Sequence, residues 1–118
     1  MSIRAVTLIN DDPSRAVRAL SEVFGWTIES DFGRFASVLP PSGIPVWINA
    51  PAEPGATTSH LVVHLATDDV DADAAAAAGR GARIVRGPSD IEYGERSAVL
   101  EVDGVPGVKF DFSHPLAR

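Results

Sequence analysis

Cysteine is absent from the 118-residue chain. Its absence excludes a disulfide framework, a thiolate zinc site and a cysteine nucleophile together. Basic residues are few, ten Lys and Arg against sixteen Asp and Glu, for a formal charge of −6. That balance opposes the phosphate backbone of nucleic acids and steers a cationic small molecule favourably. It also does no more than a small domain needs to stay dispersed. No apolar run approaches the roughly 18 residues of a membrane helix, and "MSIRAVTLIN" is too short an apolar run for a signal peptide. A cytoplasmic protein with no membrane contact is therefore expected. Gly-x-Ser-x-Gly, a phosphate-binding glycine loop and His-Glu-x-x-His are all missing as well.

What is present is ordinary globular composition, 45% hydrophobic and 22% charged residues. A chain of this size forms one domain, burying roughly two-thirds of the surface its unfolded state exposes, so residues 1–118 are read as a single unit. "IRAVTLI" has the character of a buried strand. In "NDDP", Asp11 or Asp12 can cap a helix and Pro13 suits its first position, where no backbone donor is needed. Ala16, Val17, Leu20, Val23 and Phe24 then recur at helical spacing until Gly25. "WTIES", "RFASVL" and "PVWINA" follow as strands. After a linker at about residues 51–58 the order repeats. "HLVVHLA" is a strand, Asp68 or Asp69 a cap, "VDADAAAAA" a helix with Gly79 as its stop, and "ARIVRG", "RSAVLEV" and "VKFDFSH" three more strands. "GIPVWINAP" and "GVKFDFSHP" even end the two copies alike. The chain reads as two βαβββ modules, at about 1–50 and 59–114.

This duplication resembles the vicinal oxygen chelate superfamily of glyoxalases, bleomycin resistance proteins and dioxygenases. "RAVRALSEVFGW" is similar to its first helix and turn, "DDVDA" to the start of its second helix, "GARIVRGP" to the strand after it, and "YGERSAVLEVDGVPGVKFDF" to its closing hairpin. The resemblance implies an α+β fold in which tandem βαβββ modules form an open, mostly antiparallel, barrel-like cavity. It also implies a homodimer with a cavity at or near the subunit interface. Metal-dependent members hold a divalent ion at four positions, one near the start of each module's first strand and one in each module's last. Such an ion needs several rigid N or O ligands and an open position for substrate.

Transferred to this chain, the first-module positions are Ala5, seven residues before Asp12, and Trp47, four after Gly43. Neither side chain can coordinate a metal. In the second module the count from Gly107 reaches Asp111, while seven back from Asp69 is Val62, with His60 and His64 two residues to either side. Strand alternation places all three on one face. At most His60 or His64 with Asp111 remains as a metal-ligand set. The plainer reading is that one histidine lines a cavity and the other bonds at a strand end.

The expectation is thus a small-molecule-binding protein, similar to the bleomycin-resistance branch, whose cavity is lined by Ala5, Thr7, Trp47, His60, His64 and Asp111. No cofactor is expected, and no catalytic residue is assigned. Trp47 could stack on a planar or cationic ligand or simply pack, and Trp26 is read as a core anchor. Asp68, Asp69, Asp71 and Asp73 are read as helix-start charges rather than an acidic site. Tyr93, Glu95 and Arg96 lie where the family's closing loop approaches the cavity. The alternative is a divalent-metal-dependent lyase or dioxygenase of the same superfamily.

Overall fold

The structure, a computed structural model, describes residues 1–116. The first half contains β1 (Val6–Ile9), α1 (Pro13–Phe24), β2 (Thr27–Asp31), β3 (Phe35–Leu39) and β4 (Val46–Asn49). The second repeats the order with β5 (Leu61–Ala66), α2 (Val70–Gly79), β6 (Arg83–Ile91), β7 (Glu95–Glu101) and β8 (Val108–Pro115). Each half builds a four-stranded mixed sheet, in the orders β1-β4-β3-β2 and β5-β8-β7-β6. In each, the first strand runs parallel to the last and the other pairings are antiparallel. The α+β architecture and the tandem order are those the repeat predicts.

Both helix starts resolve the choice of cap. Asp12 accepts from the Arg15 N–H at 3.1 Å, and Asp69 accepts from the Ala72 N–H at 3.0 Å. α1 ends at Gly25, left-handed at φ 73°, as its glycine implies. α2 corrects the expectation at its other end. Gly79 lies inside the helix, Arg80 caps it, and the left-handed residue is Gly81 at φ 107°. An all-alanine run has no apolar stripe whose phase marks where a helix must stop.

β6 extends well beyond "ARIVRG" and includes Pro88. Proline is tolerated there because β6 is an edge strand. Its pairing with β7 slips twice, between Ile84 and Arg86 and between Arg86 and Ser89.

The two halves share one core. Leu8, Val17, Leu20, Val38 and Ile48 from the first and Val70, Leu100, Val105 and Phe110 from the second are all buried. Phe24 at the end of α1 lies 5.0 Å from Phe110 and 5.9 Å from Phe112 on the back of β8, and Trp26 lies 4.9 Å from Phe24. Trp26 is 7% exposed, the core anchor expected of it. Among the described residues no strand of one sheet packs on a strand of the other, and the molecule is elongated at 46 × 33 × 23 Å. Each sheet therefore turns one face to the shared core and leaves the other open. Asn10, buried, ties the halves through a 2.9 Å bond from its side-chain amide to the Gly104 carbonyl. Among the described residues no helix is long and apolar enough to cross a membrane.

Candidate functional site

The open face of the second sheet follows from period-two alternation. Along β8, Val108, Phe110 and Phe112 are buried, which turns Lys109, Asp111 and Ser113 outward. Along β5, Leu61, Val63 and Leu65 pack on the core, so Val62, His64 and Ala66 face out. The parallel register pairs His64 with Asp111 and Val62 with Lys109. It is therefore His64, not the residue seven before Asp69, that stands beside the carboxylate. The His64 Nδ1 lies 3.3 Å from the Asp111 Oδ2, with the imidazole side chain 68% exposed and the carboxylate 14%.

Asp111 is held from behind. The Ser97 hydroxyl, fully buried on β7, donates to the Asp111 Oδ1 at 2.7 Å. The same Ser97 oxygen accepts from the Arg86 Nη2 at 2.7 Å, and the Arg86 Nη1 donates to the Ser89 Oγ at 2.7 Å and the Ser97 carbonyl at 3.0 Å. The two register slips flank Arg86 and turn its side chain onto this face, a recurrent use of β-bulges. A chain Arg86–Ser97–Asp111–His64 thus crosses all four strands of the sheet. Sequence reasoning missed Arg86, Ser97 and Ser89. The available signal was polar residues inside otherwise apolar strands, which at such positions need partners.

His60 departs from the expectation that it shares the face of Val62 and His64. It precedes β5 and adopts φ 59°, left-handed for a non-glycine residue, so strand alternation stops before it. The structure brings His64, but not His60, to Asp111.

On the open face of the first sheet, β1 and β4 pair Thr7 with Trp47, the same geometry as His64 with Asp111. Ala5 lies one step further along that face, just before β1. In place of donors this sheet carries a row of aromatic rings. Phe32 stacks on Phe35 at 6.4 Å, Phe35 meets Trp47 edge-on at 6.1 Å, and the Arg4 guanidinium lies 5.5 Å over the Trp47 ring. Phe32 is 79% exposed, far from what a core residue shows.

A groove of about 690 Å³ runs between the edge of β5, α2 and the loop after β3. Phe24, Trp26, Pro40, Phe112 and Ala77 supply apolar walls, and His64 stands in its lining. That volume suits a drug-sized ligand.

Arg96 holds Asp71 through two hydrogen bonds of 2.7 and 2.8 Å and Asp90 through a third of 2.9 Å. These bonds keep the Asp71 carboxyl below the usual carboxylate range. Asp73 accepts from the Thr67 hydroxyl and also lines the groove, and Tyr93 is largely exposed in the β6–β7 turn.

Comparison with known proteins settles the family. The model of the Glyoxalase/Bleomycin resistance protein/Dioxygenase superfamily matches residues 2–112. The chain belongs to this superfamily. A glyoxalase/bleomycin resistance protein/dioxygenase from Nocardioides is similar, with TM-score 0.82 and 18% identity over 98% of this chain and 84% of that one. TioX from Micromonospora sp. ML1 has TM-score 0.76 and 27% identity over 98% of this chain and all of that one. TnmS3, an antibiotic binding protein from Streptomyces sp. CB03234, has TM-score 0.78 and 24% identity over 98% and 96% of the two chains. No curated protein matches.

The superfamily's divalent metal can be tested against the residues present. Ala5 and Trp47 offer no donor, His64 and Asp111 offer two ligands, and three protein ligands is the common minimum. Among the described residues no group of three His, Asp or Glu side chains could hold a metal ion. Asp111 also has one oxygen taken by Ser97 and the other beside His64. As they stand in one chain, these residues do not fit the metal.

Proposed function

We propose that this superfamily member is a metal-independent small-molecule-binding protein of the cytoplasm, taking a planar, antibiotic-like ligand and sequestering it without chemistry. The observation that carries the reading is Trp47. It stands where metal-dependent relatives place a ligand, paired with Thr7 and continuing into the Phe35–Phe32 row. Rings so arranged bind flat or cationic molecules through stacking. The description of TnmS3 as an antibiotic binding protein supports the same direction.

The protein works as a homodimer in this reading. Both open faces point away from the shared core, so a second copy can bring its aromatic row against the His64–Asp111 face and close a cavity from two half-sites. A symmetric pair is the commonest way to complete such a surface. Ala5, Thr7, Trp47, His64 and Asp111 would line it, with His60 at its margin.

The rival reading, a divalent-metal-dependent lyase or dioxygenase, draws on the 3.3 Å approach of His64 to Asp111. Metal analysis of protein purified without chelator separates the two. The binding reading expects less than a tenth of an equivalent of Ni, Zn, Mn or Fe per chain and a dimer by native mass spectrometry. About one equivalent per site, lost in His64→Ala, would establish the enzyme instead.

A further inference from the structure

The hydrogen bonds across the second sheet have a fixed direction. Guanidinium nitrogens only donate, so the Ser97 oxygen at 2.7 Å from the Arg86 Nη2 must accept from it. The one hydroxyl proton of Ser97 is thereby committed to the Asp111 Oδ1, at 2.7 Å. Asp111 accepts it as a carboxylate and presents the Oδ2 to the His64 Nδ1, at 3.3 Å. A carboxylate beside Nδ1 favours the proton on that nitrogen. The lone pair is then left on the Nε2 of a mostly exposed ring. Arg86 and Ser97 are positioning residues, since they act on His64 only through Asp111.

We infer that His64 is a hydrogen-bond acceptor for the phenolic hydroxyl of an aromatic ligand seated in the groove between β5, α2 and the loop after β3. This rests on the small-molecule-binding reading but seats the ring in this groove, which shares His64 with the cavity proposed above and lies apart from the Trp47 row. The groove supplies the ring surface through Phe24, Trp26, Pro40 and Phe112, and His64 in its lining supplies the acceptor. A phenol combines a planar apolar body with an O–H that is a stronger donor than an aliphatic alcohol. Arg80 also lines the groove, but Asp73 in the same lining, Asp111 against His64 and the acidic chain as a whole disfavour an aryl carboxylate. The pair also discriminates by omission, since a ligand without the hydroxyl covers the imidazole and leaves its acceptor unpaired.

The test uses the full-length protein at neutral pH with 2-naphthol, its methyl ether and naphthalene, binding being followed by NMR titration of backbone amides. The expected result is 2-naphthol bound about ten-fold or more tightly than the methyl ether, with groove residues shifted. The preference should vanish in His64→Leu. Nitrogen-15 spectra should show the Nδ1–H tautomer of His64 in the native protein and its partial loss in Ser97→Ala, a change that general destabilisation does not produce. Equal affinity for naphthol and ether, or an Nε2–H tautomer in the native protein, would overturn the inference while leaving small-molecule binding intact. No binding of any of the three probes would overturn both.

Discussion

Gly107 runs so close to the linker that a Cβ on it would lie 2.3 Å from the Thr58 carbonyl oxygen, and its φ is +81°. Thr58 is itself fixed, bonding the Ile9 backbone through its own N–H at 2.9 Å and its hydroxyl at 2.8 Å. The contact seats the entry to β8, and hence Asp111, against the end of β1. Neither partner is the movable end of a side chain.

Gly107→Ala should accordingly combine a left-handed backbone penalty with a backbone clash and cost about 3 kcal/mol or more. Gly33→Ala is the control, with similar φ of +83° and open space around it. It should cost only about 1 kcal/mol, the conformational part alone. Urea unfolding of both variants measures the difference, and equal losses would mean that the linker yields.

Asp71 and Arg96 make stability depend on acid. Arg96 hydrogen bonds, first among the causes, hold the Asp71 carboxyl below its ordinary range in the folded protein. In the unfolded chain it titrates near about 3.9. The unfolded state therefore binds the proton more readily, so this contribution is fully present above the unfolded pKa and lost as pH falls through the lower folded one. Ser14 and the Gly33 N–H act on Asp31 in the same sense. Asp71→Asn should flatten the fall in Tm on acidification below about pH 4, and Asp31→Asn should flatten it further. A Tm-versus-pH profile indistinguishable from the native one in both variants would contradict the assignment.

The fold was legible because its signals are local and repeated. Asp12 and Asp69, the glycine after α1 and the alternation in β7 and β8 each act within a few residues. The site was less legible because it depends on pairing between distant strands. The register that sets His64 beside Asp111 joins residues 47 positions apart, and counting from Asp69 reaches Val62, one pair away. His60 matched the alternation on paper, but the strand begins after it and its backbone is left-handed. Arg86 went unnoticed within "ARIVRG", read simply as a strand, since nothing there marks the two bulges that turn it onto the open face. The end of α2 was misplaced for want of any phase marker among its alanines.

The Arg86–Ser97 link carries a stability prediction independent of any ligand. Ser97→Ala removes the donor to Asp111 and an acceptor of Arg86 at a fully buried position. The expected loss is about 1–3 kcal/mol. Arg86→Met should cost a similar amount, and because both changes break one chain the double variant should lose less than the sum, with coupling of about 1 kcal/mol. Strict additivity in urea unfolding would show that Arg86 and Ser97 are neighbours without being a unit.

The two tryptophans separate the shared core from the open face of the first sheet. Trp26 is nearly buried between Phe24 and Phe110, so Trp26→Ala opens a cavity in the shared core and should cost about 3–5 kcal/mol. Trp47 is half-buried on the open face with Arg4 above it. Trp47→Ala should leave most of the stability in place, at a cost of about 1 kcal/mol for lost ring contacts. Its effect should appear in binding instead. In a Trp26→Phe background Trp47 is the sole tryptophan, and a flat cation such as acridine orange should quench its emission with a midpoint that shifts with protein concentration. That shift follows if the partner copy completes the cavity, since only the dimer binds well. Quenching independent of protein concentration would place the whole site within one chain, and quenching unchanged by Arg4→Ala would remove the guanidinium from it.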